Sequence, residues 1–292
     1  MSPATRRGIY TVANDKFSEW LLALFASLKI LNSQIPVRVI PFDGSTDLVQ
    51  RICQAFGYAI WAPSGPLSAC DRIAEAVLPL SESPAFCRGA FRRFAAFCGP
   101  FEEFMYLDAD TLVLEPLTPL FDACANSGKQ IVFADGAGNC AYNPSARREE
   151  LRTNGSQEWN TGVYYSRSGA LSLDAMLAAC RTDLAADYAV IRRDATDQSF
   201  LNWFIATRQL SSVRLGSTGE YGRSWAYLHQ RMVELPGHLF DFSRQHPYSR
   251  PVPIVHWAGQ AAPTPDMPYA HIWQAYRTAA QIIYERAGPP PY

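Results

Sequence analysis

The chain has 292 residues, a length that suits one α/β domain with insertions. Apolar residues make up 48% of it, enough for a sizeable core and incompatible with wholesale disorder. Lys and Arg total 26 against 27 Asp and Glu, a formal net charge of −1, without the basic excess of a dedicated nucleic-acid binder. The seven cysteines, at 53, 70, 87, 98, 124, 140 and 180, are odd in number and lack C-x-x-C spacing, as expected of reduced, mostly core-filling thiols in a cytoplasmic protein. The amino terminus has no apolar signal-peptide stretch, and WLLALFASLKIL (20–31) is too short to span a bilayer and carries a Lys, so no transmembrane segment is expected.

In chain order, GIYTVA (8–13) reads as a strand, and Asn14-Asp15 can cap the helix after it. In that helix Phe17, Trp20, Leu21, Leu24, Phe25, Leu28 and Leu31 keep three- and four-residue spacing, which predicts one apolar face. VRVIPFD (37–43), TDLVQRICQAF (46–56) and YAIWA (58–62) read as strand, helix and short strand. This β-α-β-α-β run predicts a parallel sheet with right-handed crossovers and ligands at the carboxyl ends of its strands. The Pro-, Ser- and Gly-rich stretch 63–83 has room for one short helix, and 84–99 reads as helical with Phe86, Ala90, Phe94 and Phe97 on one side. FMYL (104–107) has the composition of a central strand buried on both faces, and IVFAD (131–135) is another strand. The polar stretch 136–158 predicts a long functional loop. GVYYS (162–166) is a strand, 170–180 a helix and ATDQSFLNWFIAT (195–207) a helix beginning near Asp197. After a mixed aromatic segment, VPIVHWAG (252–259) reads as a strand running into a His, and 268–286 as a closing helix.

The chemistry concentrates in FMYLDADTLVL (104–114). Residues two apart on a strand share a side, and where the strand ends and turns, Asp108 and Asp110 can converge on one cation. Left buried without a partner they would repel, whereas Mg²⁺ or Mn²⁺ takes oxygen ligands and bridges to substrate phosphates. The plainer alternative is that one Asp caps the turn while the other is solvated. YLDADTL also fits the signature of haloacid-dehalogenase-like phosphotransferases, in which the first Asp is a nucleophile. That family needs a later Lys and a later acidic motif; here Lys129 is the only later Lys, and no D-D or G-D-x-x-x-D follows a later apolar strand.

Taken with GIYTVAND, EWNTGVYYS, DATDQSFLN and IVHWAG in this order, the stretch resembles the GT-A-fold glycosyltransferases, especially family 8, which includes glycogenin and bacterial galactosyl- and glucosyltransferases. The resemblance spans roughly residues 8 to 260. It implies an α/β, Rossmann-like, mostly parallel sheet flanked by helices, forming one domain over 1–292: a nucleotide-binding half (8–135), a donor-sugar and acceptor half (136–260), and a C-terminal helix and tail (261–292). It implies Mn²⁺ or Mg²⁺ on Asp108 and Asp110, with Ala109 between them, and His256 as the third ligand, opening an H-x-x-G stretch that ends at Gly259. An imidazole at a strand end suits a borderline ion such as Mn²⁺, although a histidine packed beside Trp257 is the alternative.

By the same resemblance, Thr11 to Asp15 would cradle base and ribose, with Ala13 and Asn14 the leading contacts, and Arg92 (neighbours Arg88 and Arg93) would meet the phosphate or donor sugar. Asn160 and Thr161 would hydrogen-bond sugar hydroxyls, with Gly162 letting backbone approach the ligand. Asp197 would contact the sugar and Gln198 would sit near the anomeric carbon, with Asn202 in support; alternatively Thr196 or Asp197 caps the helix. One departure stands out. Many family 8 members continue from H-x-x-G into K-P-W, whose Lys contacts the diphosphate, whereas this chain reads HWAGQAAPTPDMP and leaves that task to the metal, Arg92 or Arg223. The expected reaction moves a hexose from a nucleoside diphosphate sugar, a UDP-sugar foremost, to a saccharide, peptide or small-molecule hydroxyl, with retention. The alternatives are an inactive sugar-nucleotide-binding protein and a nucleotidyltransferase; the latter usually shows a Gly-rich basic loop after the first strand, unlike TVANDKF.

Overall fold

The structure is a computed structural model, and the residues described are 6–80, 84–138, 141–153, 157–215, 221, 224, 226, 232–235, 238–241 and 250–287. The strands are β1 (Arg7–Ala13), β2 (Val37–Pro41), β3 (Ala59–Ile60), β4 (Glu103–Leu107), β5 (Thr111–Val113), β6 (Ile131–Phe133), β7 (Val163–Arg167), β8 (Ser212–Arg214), β9 (Met232–Leu235), β10 (His238–Asp241), β11 (Arg250–Pro251) and β12 (Ile254–His256). The helices are α1 (Ser18–Leu31), α2 (Asp47–Phe56), α3 (Ser64–Val77), α4 (Pro84–Phe91), α5 (Thr118–Asn126), α6 (Ala146–Thr153), α7 (Leu173–Thr182), α8 (Leu184–Asp187), α9 (Thr196–Thr207) and α10 (Ala270–Arg286). Among the described residues no helix is long and apolar enough to cross a membrane.

Seven strands form a central sheet in the order β3-β2-β1-β4-β7-β6-β8. All its pairs are parallel except the two that β7 makes, with β4 and with β6. Every residue of β4 is buried, as its composition predicts for a strand covered on both faces. Its one charged member, Glu103, is paired with Arg7 at 2.9 Å. The two faces carry separate apolar layers: Tyr10, Phe104, Tyr106 and Tyr164 pack toward α3 and α9, while Ile9, Met105, Leu107 and Tyr165 pack toward α1, α2 and α5. Each such side chain contributes roughly 1.5–3 kcal/mol by burial.

The two polar residues after β1 have separate local tasks. Asn14 caps the turn into α1 by accepting from the Lys16 N–H at 3.0 Å, and Asp15 Oδ1 accepts from Leu48 and Val49 at the start of α2. The single apolar face predicted for α1 is too narrow. Trp20 to Leu28 are all buried, because α10 covers the side away from the sheet, with Trp273 5.8 Å from Trp20, ring centroid to ring centroid.

Two other stretches differ from expectation. Ser64–Val77 is a full 14-residue helix, its Pro66 tolerated in the first turn and Ala69, Cys70, Ile73, Ala74 and Val77 giving it a buried stripe. Within 136–158, predicted as a loop, Ala146–Thr153 is helical, and a buried Arg148–Glu158 pair at 2.6 Å ties the segment down. A polar sequence concealed both the helix and its anchor. The predicted helix over 84–99 is α only as far as Phe91 and continues as a 3-10 turn from Arg92 to Cys98.

Candidate metal centre and its cleft

β4 stops at Leu107, but Asp108 still donates its N–H to the Gly162 carbonyl at 2.7 Å, continuing the ladder with β7. The chain then turns; the Thr111 hydroxyl donates to the Asp108 carbonyl at 2.7 Å and locks the turn into β5. The turn is what brings Asp108 and Asp110 to one side. β5 pairs antiparallel with β12 in a register that sets His256 opposite Thr111, and Trp257 N–H donates to the Asp110 carbonyl at 3.0 Å. Strand register therefore delivers a histidine distant in sequence to the two acids.

His256 Nε2 lies 3.3 Å from Asp110 Oδ1 and 3.9 Å from Asp108 Oδ2. One donor atom from each of the three lies within 4.8 Å of the others, and among the described residues this is the one such group of three or more His, Cys, Asp and Glu side chains. The imidazole is buried, and its Nε2, although 3.3 Å from Asp110 Oδ1, is not aligned for a good hydrogen bond to it. A buried polar atom so poorly satisfied is costly, and a cation among these three donor atoms would engage it fully. The donor set of two carboxylates and an imidazole suits Mn²⁺ or another borderline divalent ion. The residues present therefore fit a divalent metal.

Arg93 is the cation of this site. Its NH2 lies 3.4 Å from Asp108 and 3.3 Å from Asp197, its NH1 donates to the carbonyl and hydroxyl of Thr161 at 3.0 and 3.1 Å, and its Nε donates to the Ala90 carbonyl. Two carboxylates, Asp108 and Asp197, thus face the one guanidinium while a third, Asp110, lies against His256, a concentration of negative charge that a dication offsets. Burial pushes the Asp108 carboxyl above the usual carboxylate range, opposed by Arg93 and reinforced by Asp110. Burial by itself disfavours the His256 imidazolium, but Asp110, Asp108 and Asp135 outweigh it and raise its pKa.

The predicted residues divide into those that meet here and those that do not. Asp108, Ala109, Asp110 and Gly259 line a cleft of about 350 Å³, together with Val12, Phe17, Phe42, Arg93, Tyr106, Gln260 and Ala261. Gly259 takes a φ of +82°, a left-handed conformation that glycine adopts without strain. Asp197 stands in the first turn of α9, which has no side-chain cap, so Asp197 faces Arg93 instead of capping the helix. Gln198 Oε1 accepts from the Thr161 N–H at 3.3 Å, and Asn202 clasps Trp159 through both its N–H and its carbonyl, at 2.7 and 2.8 Å. The start of α9 thereby holds the segment 159–162, in which Asn160 Oδ1 accepts from the Gly162 N–H at 2.9 Å. Gly162 has no room for a side chain, because its Cα lies against His256 and Asp108.

Four expected nucleotide contacts are not among the residues that line the cleft. Arg92 is turned away, held by Asp71 in two bonds of 2.9 Å and donating to the Pro41 carbonyl at 3.2 Å. One residue on, Arg93 occupies the site, and spacing alone does not tell which member of a helical Arg-Arg pair faces inward. The side chains of Thr11 and Ala13 are fully buried, and Ala13 belongs to the layer under α1. Alternation along β1 hands the cleft to Val12, which the sequence reading passed over. Both ends of the Asn14 side-chain amide are engaged, with Lys16 N–H and with Asp43 at 2.7 Å. Phe17 and Phe42 form an edge-on aromatic pair, ring centroids 5.7 Å apart, at the cleft and were equally unforeseen. Arg223, and most of residues 219–248, lie outside the described residues.

The chain resembles solved glycosyltransferases over most of its length. The galactosyltransferase LgtC, solved with donor and acceptor sugar analogues, superposes with a TM-score of 0.65 at 15% identity, covering 93% of this chain and 95% of that one. The fold is that of the GT-A glycosyltransferases. A GT-A relative of another kind, mouse xyloside xylosyltransferase 1, gives a TM-score of 0.53 at 13% identity, covering 72% of this chain and 85% of its own. The glycosyltransferase GlyE of Streptococcus pneumoniae TIGR4 gives 0.53 at 14% identity, covering 97% of this chain and 63% of its own. The mannosyltransferase family model Mannosyl_trans3 matches residues 6–133, which carry β1 to β6 and both Asp108 and Asp110. No curated protein matches the chain at the level of sequence. Within the GT-A fold the resemblance is to family 8.

Proposed function

We propose that the protein is a divalent-metal-dependent glycosyltransferase that moves a hexose from a nucleoside diphosphate sugar, a UDP-sugar foremost, to a hydroxyl acceptor with retention. The observation that carries this reading is the convergence of Asp108, Asp110 and His256 at a cleft beyond the carboxyl end of a central strand, in a chain with the GT-A fold. Ligands of open α/β sheets bind at such strand ends.

In this reading Asp108, Asp110 and His256 hold the ion. When bound, Mn²⁺ or Mg²⁺ neutralises charge developing on the leaving diphosphate. The cleft wall of Phe17 and Phe42 suits a flat nucleotide base, and the backbone around Val12 and Gly259 lets the nucleotide lie close to the sheet edge. Asn160, Asp197 and Gln198 position the sugar; they sit on two segments already bonded to each other, so little ordering is left for the moment of binding. The N–H groups of Arg93 already have protein acceptors, so its part is to hold Asp108, Asp197 and Thr161 in place.

The phosphotransferase alternative finds no support in the geometry. Lys129 is exposed before β6, at the opposite edge of the sheet from Asp108. The experiment that tests the proposal is a thermal-shift screen of sugar nucleotides with and without Mn²⁺, followed by turnover of whichever donor binds. Galactosyl, xylosyl and mannosyl donors head the set, after the enzymes the chain resembles. A donor that raises the melting temperature only with Mn²⁺, and is then consumed, is the expected result. Tight nucleotide binding with no turnover of any donor would favour the inactive binding protein instead.

A further inference from the structure

Asp108 is gripped on the side away from the metal centre. The Tyr106 hydroxyl donates to Asp108 Oδ1 at 2.7 Å, and Arg93 NH2 lies 3.4 Å from the same oxygen. The other oxygen, Oδ2, is the one that lies 3.9 Å from His256 Nε2. We propose that Tyr106 is a positioning residue for the metal centre: its hydroxyl, with Arg93, holds one oxygen of Asp108 so that the other is presented to a divalent ion.

The argument starts from the strand. Tyr106 and Asp108 are two residues apart where β4 ends, so their side chains lie on the same side of the sheet. A carboxylate has a broad, weakly defined terminal torsion, and an unheld Asp108 would have to be ordered each time an ion binds. The hydroxyl that holds it is itself immobile. The Tyr106 ring is fully buried, stacks on Tyr164 with centroids 5.0 Å apart and planes at 19°, and lies under the Arg93 guanidinium at 5.2 Å. The hydrogen bond also removes one oxygen of Asp108 from competition for the ion and favours one-oxygen coordination. Partners of this kind behind metal ligands set ligand orientation, and their loss typically costs about 10–100-fold in metal affinity.

The inference rests on the metal-dependent reading above, and Tyr106→Phe isolates it, because phenylalanine keeps the stack and the contact with Arg93 and loses only the hydroxyl. Tyr164→Phe is the matched control: its hydroxyl is equally buried in the same stack and has no protein partner. Mn²⁺ binding to the full chain without donor, followed by the electron paramagnetic resonance of free Mn²⁺, is compared for the wild type, Tyr106→Phe, Tyr164→Phe and Asp110→Asn. The expected result is an affinity about 10–100-fold weaker in Tyr106→Phe and unchanged in Tyr164→Phe. If Tyr106→Phe binds as the wild type does while Asp110→Asn does not bind, the inference fails and the metal centre stands. Equal weakening in both tyrosine variants also overturns it, as a packing effect. A wild type that binds no Mn²⁺ overturns both the inference and the reading beneath it.

Discussion

A Cβ built on Gly162 stands 2.2 Å from Cε1 of His256 and 2.6 Å from Oδ2 of Asp108. The glycine is thus the back wall of the metal centre, and the ligands occupy the space that any other residue would need. Gly162→Ala is expected to force the imidazole and the carboxylate apart, at about 1–3 kcal/mol of stability from overpacking. Denaturant melts and Mn²⁺ titration together check this; a variant with unchanged stability and metal affinity would show that the wall yields freely.

If Asp108, Asp110 and His256 hold an ion, saturating Mn²⁺ stabilises the wild type by about 2.7 kcal/mol at a hundred times its dissociation constant. Asp110→Asn and His256→Ala should lose most of that increment, and Asp110→Asn should also abolish metal-dependent donor turnover. Differential scanning calorimetry with Mn²⁺ or with a chelator measures the increment. Wild-type metal dependence in His256→Ala would return His256 to a packing role.

The two neighbouring arginines predict opposite outcomes. Arg93→Met removes the partner of buried carboxylates and is expected to cost on the order of 3–5 kcal/mol and to weaken sugar-nucleotide binding. Arg92→Met breaks a half-buried pair with Asp71 and is expected to cost on the order of 1 kcal/mol, with donor affinity preserved. Chemical denaturation and donor titration on both variants give the comparison, and equal loss of donor affinity would restore Arg92 to the site.

Burial pushes the thiols of Cys53, Cys124 and Cys180 up to about 12. All three are buried and stay in the unreactive thiol form at pH 8. Iodoacetamide at pH 8 should label the exposed Cys98 in the folded protein and reach these three only in denaturant. Mass mapping of labelled peptides reads this directly; early labelling of Cys124 would contradict its burial in the layer under α5.

Asn202 is expected to matter for architecture more than for contact with substrate. It is buried and clasps both backbone groups of Trp159, and Asn202→Ala leaves them without partners, at about 1–3 kcal/mol for each unsatisfied group. Because Trp159 precedes Asn160, the same variant should raise the donor KM. Thermal melts and steady-state kinetics separate the two effects, and an unchanged melting temperature would contradict the clasp.

Much of the fold was legible in the sequence because it is written locally. The apolar run of β4, the helix after Asn14 and the alternation of strands and helices through residue 62 each follow from spacing over a few residues. Ser64–Val77 was concealed by its Pro, Ser and Gly, which sit in the first turn where they do little harm. The helix inside 136–158 was concealed because a polar helix on the surface has no apolar period to detect, and its anchor, Arg148 to Glu158, is a tertiary pair.

The sequence by itself determined that Asp108 and Asp110 end a buried strand, and its resemblance to GT-A enzymes named His256 as their partner. Only the tertiary structure decided the rest of the candidate site. The register of β12 on β5 places the imidazole beside the acids, the step of about a third of a turn between neighbouring residues of the 3-10 segment turns Arg93 inward and Arg92 out, and the pleat of β1 gives Val12 to the cleft and Thr11 and Ala13 to the interior. The physical reason is the same in each case. Which residue types a site contains depends on chemistry that a short motif can carry, whereas which neighbour points inward depends on angles that only packing against distant elements fixes.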